Sequence, residues 1–475
     1  MSEALWERFP TALALSRAMQ DREVSPVEVM EATLARVDEV NGRLNAVIWR
    51  NDDQALAEAR QASERLARED PGELPPMLGV PLPIKDLTPV AGWPVTYGSF
   101  AAPEGPSEES ELVVEAFRRA GFVLTGRTNT PEFGPITAAE NLRYGITRNP
   151  WDLGLTPGGS SGGAAAATAS GMFVLAHAND GGGSIRIPAS CCGLVGLKVS
   201  RGRVPSLVTG WEGGAVEGVV TRDVADTAAV LDLICGPDPL CWYNAPAPER
   251  PYLEEVGADP GRLRVGVVTR APFGLGLDPD CELAARRAGE ALEGLGHGVE
   301  EADFSVPEEF VTHFLTVVNC GLADYEGIDW DRAEPHVRAN RRAAQAVDSL
   351  SYVASVHRLQ RLTRQMMSRW GSEFDLLVTP TMAITPPRAG EILAAVHKGA
   401  SEGGGPALQV FQMAVFTSGF NMSGQPAISL PLHQTAAGVP VGVQLVGEPF
   451  GEARLLRVAA ALEQALPWAQ RRPAL

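Results

Sequence analysis

A chain of 475 residues, 45% apolar and 21% charged, has a globular composition and enough apolar residues for a sizeable core. Its 40 basic and 58 acidic residues leave a net charge of −18 with no long Lys/Arg run, which argues against a surface that tracks nucleic-acid phosphates. Length alone allows two or three domains, although single large α/β domains also reach this size.

Helical periodicity dominates the first ~70 residues. Ser25-Pro26-Val27-Glu28 has the form of a capping box with proline at the first helical position, and Val29, Leu34, Val37 and Val40 follow at helical spacing. Residues 55–68, rich in Ala, Glu and Arg, predict a second amphipathic helix. Pro75-Pro76 breaks the pattern, and residues 78–85 read as a short buried strand or turn. A helix over 110–120, stopped by Gly121, leads into a strand over 122–126. Ser160 and Ser161 are placed to cap an Ala-rich helix ending near Gly171, with the next strand over 172–177. This alternation predicts α/β architecture with a largely buried sheet.

The Pro-rich stretch 237–251 reads as a loop and is the best boundary candidate. Beyond it the pattern predicts a strand over 263–268, a helix over 281–295, a mostly helical stretch over 307–370 and a strand over 374–380. A Gly-rich loop over 399–406 follows, then a strand over 440–447 and a helix over 452–466. No internal repeat is evident.

Cys191, Cys192, Cys235, Cys241, Cys281 and Cys320 form no CxxC pair and no disulfide framework, and zinc-ligand spacing with the seven histidines is absent. The N-terminus lacks a basic segment followed by an apolar stretch, and the most apolar segment, 162–178, is interrupted by Thr168, Ser170, Gly171 and His177. The expectation is a cytoplasmic protein with no metal, no cofactor and no membrane or nucleic-acid partner. The oligomeric state stays open, with a homodimer among the options.

Two glycine-framed serines stand out: Gly158-Gly159-Ser160-Ser161-Gly162-Gly163 and Asp180-Gly181-Gly182-Gly183-Ser184-Ile185-Arg186. A lysine in an apolar frame, Pro83-Ile84-Lys85-Asp86, lies upstream. Taken singly, each has a plain explanation: a linker or helix start, a turn or phosphate cradle, a surface lysine. Together they point to serine nucleophilic attack with lysine as base. A lysine can take a serine proton only when neutral, which requires burial or a neighbouring cation. The apolar Pro83 and Ile84 fit burial, and Asp86 would have to face away or bond the backbone. Consecutive N–H groups at Gly181, Gly182 and Gly183 can converge on a developing oxyanion.

Further motifs share a pattern. Thr128-Asn129-Thr130-Pro131-Glu132-Phe133, Thr147-Arg148-Asn149-Pro150-Trp151, both serine blocks, Cys192-Gly193-Leu194-Val195-Gly196-Leu197-Lys198 and Phe420-Asn421-Met422-Ser423-Gly424-Gln425-Pro426-Ala427 resemble the amidase signature family. The resemblance runs from about Ser25 to the end and is weakest between 237 and 370. It implies one α/β domain over 1–475, with a central mixed, twisted sheet covered by helices on both faces. Within it would lie N-terminal helices (1–70), a catalytic core (71–236), a variable, mostly helical substrate-pocket region (237–370) and a C-terminal part of the core (371–475).

The resemblance also implies a Ser–cis-Ser–Lys triad: Ser184 as nucleophile, Ser160 as the bridging serine on a cis peptide bond, and Lys85 as base. The N–H groups of Gly181, Gly182, Gly183 and Ser184 would hold the oxyanion. Asp180 and Arg186 would brace the loop as a structural ion pair, and Ser161 would be a helix cap or a supporting hydroxyl. Many members carry threonine, glutamine or isoleucine where Gly181 stands, so glycine implies a more open pocket entrance.

The implied activity is hydrolysis of a small linear or cyclic carboxamide through an acyl-enzyme, as in the bacterial branch that includes 6-aminohexanoate cyclic-dimer hydrolases. Cys320 is a candidate for the acyl pocket, against the plainer reading of a buried free cysteine. The alternative is a glutaminase subunit of a tRNA-dependent amidotransferase. Such subunits typically carry glutamine where this chain has Ile187, which ranks that reading second. Intact Lys85, Ser160 and Ser184 argue against a catalytically dead interaction protein.

Overall fold

Fully buried strands form the middle of an eight-stranded sheet. The computed structural model describes residues 5–304, 306–402 and 407–475. In chain order its strands are β1 (Val47–Arg50), β2 (Pro81–Lys85), β3 (Val123–Thr128), β4 (Glu140–Asn141), β5 (Gly145–Ile146), β6 (Ala176–Asp180), β7 (Val195–Lys198), β8 (Val216–Thr221), β9 (Arg264–Val267), β10 (Gly298–Glu301), β11 (Leu376–Pro380), β12 (Ala427–Gln434) and β13 (Pro440–Val446). The large sheet runs β10-β9-β11-β13-β12-β7-β8-β6, and a second sheet runs β1-β3-β2. Pairing is parallel for β10/β9 and β9/β11 and antiparallel from β11 across to β6, so the sheet is mixed.

Every residue of β7, β11 and β13 is buried, which requires cover on both faces. Successive side chains of a strand point to opposite faces. Leu376 and Val378 accordingly join one core with Val265, Val267, Val441 and Val443, under the helices Val224–Ile234, Pro279–Gly294 and Glu452–Ala465. Leu377 joins a different core with Phe416, Phe420 and Val446. Each fully buried Leu, Val or Phe contributes ~1.5–3 kcal/mol relative to exposure.

Local signals worked where chain-terminating chemistry is explicit. Ser25 Oγ accepts from Glu28 N at 3.2 Å and the Glu28 carboxylate accepts from Ser25 N at 2.8 Å, so the capping box opens the helix Pro26–Leu44 as expected. The second helix spans Asp52–Arg68.

Several expectations need correction. The strand expected over 172–177 lies at Ala176–Asp180, because Gly171 (φ +76°) ends the helix Gly162–Ala169 and the apolar residues 172–175 pack as a buried bend. Ser161 does not cap that helix through its side chain. Of the Gly-rich loop expected over 399–406, residues 399–402 finish the helix Glu391–Glu402, and 403–406 lie outside the described residues. The stretch 237–251 is irregular, yet the large sheet takes strands from both sides of it. Among the described residues, no helix is long and apolar enough to cross a membrane.

Candidate active site

Strand β6 organises the site through its two faces. Its period of two turns His177 and Asn179 toward β2 and leaves Asp180 on the opposite side. The Lys85 N–H donates to His177 Nδ1 at 3.3 Å, so the ring proton sits on Nε2 and faces Glu217 at 2.7 Å. Lys85 ends β2 with its whole side chain buried. Asp86 turns away from it, accepting from the backbone N–H groups of Thr96 (3.0 Å) and Gly98 (3.1 Å) and from the Thr96 hydroxyl.

Three groups surround Lys85 Nζ: Ser160 Oγ at 2.7 Å, Ser161 Oγ at 2.8 Å and Asn179 Oδ1 at 2.6 Å. The Gly159–Ser160 peptide bond is cis. Burial pulls the Lys85 pKa from 10.5 down to about 7, against the opposing pull of the Glu217 and Asp180 charges. A neutral amine has two N–H donors and one lone pair. Asn179 Oδ1 can only accept, so it takes one N–H. Ser161 spends its own proton on the Asn179 carbonyl at 3.2 Å, so it takes the second. The lone pair is left facing the Ser160 hydroxyl, which is the arrangement a base needs.

The second serine block leaves the end of β6. Asp180 Oδ1 accepts from Gly183 N (2.8 Å), Arg186 Nη2 (2.8 Å) and Asn421 Nδ2 (2.9 Å), and Oδ2 accepts from Ile185 N (3.1 Å) and Arg186 Nε (3.0 Å). Arg186 donates onward to Gln444 Oε1 (2.7 Å), Asn421 Oδ1 (2.6 Å) and the Thr417 carbonyl (3.0 Å). Both side chains are fully buried. Burial works against the Asp180 charge, but Arg186 outweighs it and holds the carboxyl well below its usual range. The pair ties the loop after β6 to Thr417, Asn421 and Gln444.

One oxyanion donor must be withdrawn. The Gly183 N–H is committed to Asp180, whereas no hydrogen bond among the described residues occupies the N–H groups of Gly181, Gly182 or Ser184. Gly183 is needed for its backbone instead. Its φ is +133°, and a Cβ would stand 2.4 Å from Thr417 Oγ1, which donates to the Gly182 carbonyl at 2.6 Å. Ser184 is half-buried, and its carbonyl accepts from Ser161 N at 3.3 Å, joining the two serine blocks. Among the described residues, no hydrogen bond reaches the Ser184 hydroxyl.

Ser184 opens into a cavity of about 340 Å³ with walls that include Ile136, Ile187, Phe310, Phe314 and Val415. Its polar lining comprises Thr137, Ser184, Asn319, His336, Asn340 and Ser418, and no Lys, Arg, Asp or Glu side chain of the described residues reaches it. His336 is neutral there, pushed down to about 3 by burial and by His397. Cys320 does not line this cavity, although Val318 and Asn319 do. The entrance at Gly181 is not open: a Cβ there would stand 2.4 Å from the Trp211 ring, so the indole fills the space a side chain would take.

Sequence spacing showed no metal ligands, but folding gathers Glu334, His336 and His397. His397 Nε2 lies 2.8 Å from Glu334 Oε2, and Glu334 Oε1 accepts from Leu142 N at 2.6 Å. Both carboxylate oxygens therefore have partners, and hydrogen bonding accounts for the Glu334–His397 pair. Asn179, Thr417 and Trp211 were not singled out from the sequence.

The amidase family model matches residues 28–456. The chain belongs to the amidase signature family. It is 39% identical to the 6-aminohexanoate-cyclic-dimer hydrolase of Paenarthrobacter ureafaciens, over 99% of this chain and 97% of that one. It is 34% identical to the acylamidase of Rhodococcus erythropolis, over 98% and 97% of the two chains. The solved structure of 6-aminohexanoate cyclic dimer hydrolase complexed with substrate superposes with a TM-score of 0.87 at 36% identity, covering 98% of each chain. The protein is thus a family hydrolase acting on C–N bonds, with the mixed sheet and two-sided helical cover that the family fold implies.

Proposed function

We propose that this amidase cleaves small linear or cyclic carboxamides with an apolar acyl part, through an acyl-enzyme on Ser184. Ser184 Oγ attacks the amide carbon while its proton passes to Ser160 Oγ, and the Ser160 proton passes to the lone pair of Lys85 Nζ. The carbonyl oxygen takes up negative charge beside the N–H groups of Gly181, Gly182 and Ser184. Collapse breaks the C–N bond, and the proton held on Lys85 returns through Ser160 to the leaving nitrogen. Water then repeats the sequence on the ester, releasing the acid and restoring Ser184. The observation that carries this reading is the hydrogen-bond count at Lys85 Nζ, which leaves its lone pair for Ser160 alone.

The cavity wall supports this choice of substrate class. An uncharged, mostly apolar lining suits an aliphatic or lactam acyl group. Glutamine would bring an α-carboxylate and an α-ammonium into a space that no charged side chain among the described residues lines, and an unpaired buried charge is strongly unfavourable. That argues for the cyclic-dimer-hydrolase side of the family and against the glutaminase side. A panel of aliphatic amides, lactams, the 6-aminohexanoate cyclic dimer and glutamine, assayed with purified protein, tests this. Amine or acid release from the apolar members with glutamine untouched is expected; ammonia from glutamine in preference to all others would overturn the reading.

A further inference from the structure

Trp211 sits in a short turn, Gly210–Gly213, with a backbone that few non-glycine residues adopt. Its φ and ψ are 52° and 49°, and Glu212 follows at 56° and 31°. Two consecutive left-handed residues without a compensating glycine are unfavourable locally, so surrounding contacts must hold the turn. Those contacts are present. The Tyr352 hydroxyl donates to Glu212 Oε1 at 2.7 Å, Gly214 N donates to the Trp211 carbonyl at 2.9 Å, and Arg201 Nε donates to the Gly213 carbonyl at 3.0 Å.

This backbone drives the indole into a slot between two glycines from distant parts of the chain. A Cβ at Gly181 would stand 2.4 Å from Cζ3 and 2.6 Å from Cε3 of Trp211. A Cβ at Gly321 would stand 2.6 Å from both Cδ1 and Nε1. The six-membered ring therefore abuts the loop that carries Ser184, and the five-membered ring abuts Gly321. Phe314 meets the indole edge-on, with centroids 6.4 Å apart at 89°. Trp211 lines the cavity beside Ser184 and also a smaller one of about 20 Å³ bounded by Phe133, Leu322 and Tyr325. Pro135, Val318, Asn319 and Asn340 line both cavities with it.

We propose that Trp211 is the size-limiting wall of the acyl site, restricting the bulk a substrate carries beside its scissile carbonyl. Gly181 and Gly321 are the two clearances that let it stand there. This rests on Ser184 being the nucleophile, and it adds a selectivity for slender acyl groups over those bearing a ring next to the carbonyl.

The test compares inactivation by methanesulfonyl fluoride and benzenesulfonyl fluoride, each of which transfers its sulfonyl group to a serine oxygen with loss of fluoride and the hydroxyl proton. Peptide mass mapping locates the adduct. Wild type should favour the methane reagent. Trp211→Ala should raise the benzene-to-methane rate ratio about tenfold or more, and Trp211→Phe should fall between, on the scale by which pocket contacts discriminate. Gly321→Ala, against the five-membered ring of the indole, should lower the ratio by pushing the indole toward Gly181, and should change nothing once Trp211 is alanine. A ratio within about twofold of wild type in folded Trp211→Phe and Trp211→Ala overturns the proposal, as does an undiminished Gly321→Ala effect in the Trp211→Ala background. Labelling of neither reagent at Ser184 in wild type would instead overturn the nucleophile assignment. Should Trp211→Ala fail to fold, Trp211→Phe with and without Gly321→Ala carries the same comparison.

Discussion

Asn179 Oδ1 holds Lys85 Nζ at 2.6 Å and so decides which way the amine's lone pair points. The pairing joins the ends of two strands in different sheets, β2 and β6. An acceptor-only amide oxygen draws an N–H toward itself, while a carboxylate there would also add charge. Asn179→Asp should therefore stabilise the lysine ammonium and move the rising limb of the kcat/KM pH profile to higher pH. Asn179→Ala should lower kcat by ~10²-fold or more, with less change in KM, because it frees the amine to turn away from Ser160. Full pH profiles of both variants provide the check.

In wild type, burial holds Lys85 at about 7. In the proposed mechanism the neutral amine is the active form, so kcat/KM should rise with pH through ~7 and then level off. Below that limb the lysine is an ammonium and cannot accept the Ser160 proton. A limb near the free-lysine value of 10.5 would mean the amine is not buried in solution.

The Asp180–Arg186 pair makes a structural prediction. Arg186→Met leaves a fully buried carboxylate without its cation, and breaking one partner of such a pair typically destabilises by ~3–5 kcal/mol. Urea titration should show an earlier transition, and activity should fall with folded fraction. Asp180→Asn keeps the volume but leaves the buried Arg186 cation unpaired and turns an acceptor oxygen into an NH2 group facing N–H donors, so a comparable loss is expected.

Ser25→Ala removes the cap of the helix Pro26–Leu44, far from Ser184 in sequence and partly exposed. The expected loss is ~1 kcal/mol of stability with catalysis unchanged at temperatures where the protein is folded. Denaturant melts with parallel amide assays test both halves.

The serines proposed for catalysis stand out in the sequence because glycine-framed serines are local patterns. Ser25 with Glu28, and Lys85 in its apolar frame, were legible for the same reason. Asn179 was not: its partner lies 94 residues away, and a polar residue inside a strand carries no period of its own. Trp211 was missed more thoroughly. Gly181 read as an opening because sequence reports a missing side chain without reporting what moves into its place. Gly183 shows the converse, since a run of glycines suggested equivalent oxyanion donors until the Asp180 carboxylate claimed one of them. The polar, site-facing residues of β6 likewise displaced the expected strand toward the apolar bend before it.

The role of Ser184 is tested most directly by trapping the acyl-enzyme. An activated p-nitrophenyl ester of an apolar acid acylates faster than it deacylates, so acid quenching and peptide mapping should find the acyl mass on the peptide containing Ser184. The adduct should vanish in Ser184→Ala and form much more slowly in Lys85→Ala. An acyl group on Ser160, Ser161 or a cysteine, or an unchanged adduct in Ser184→Ala, would contradict the account.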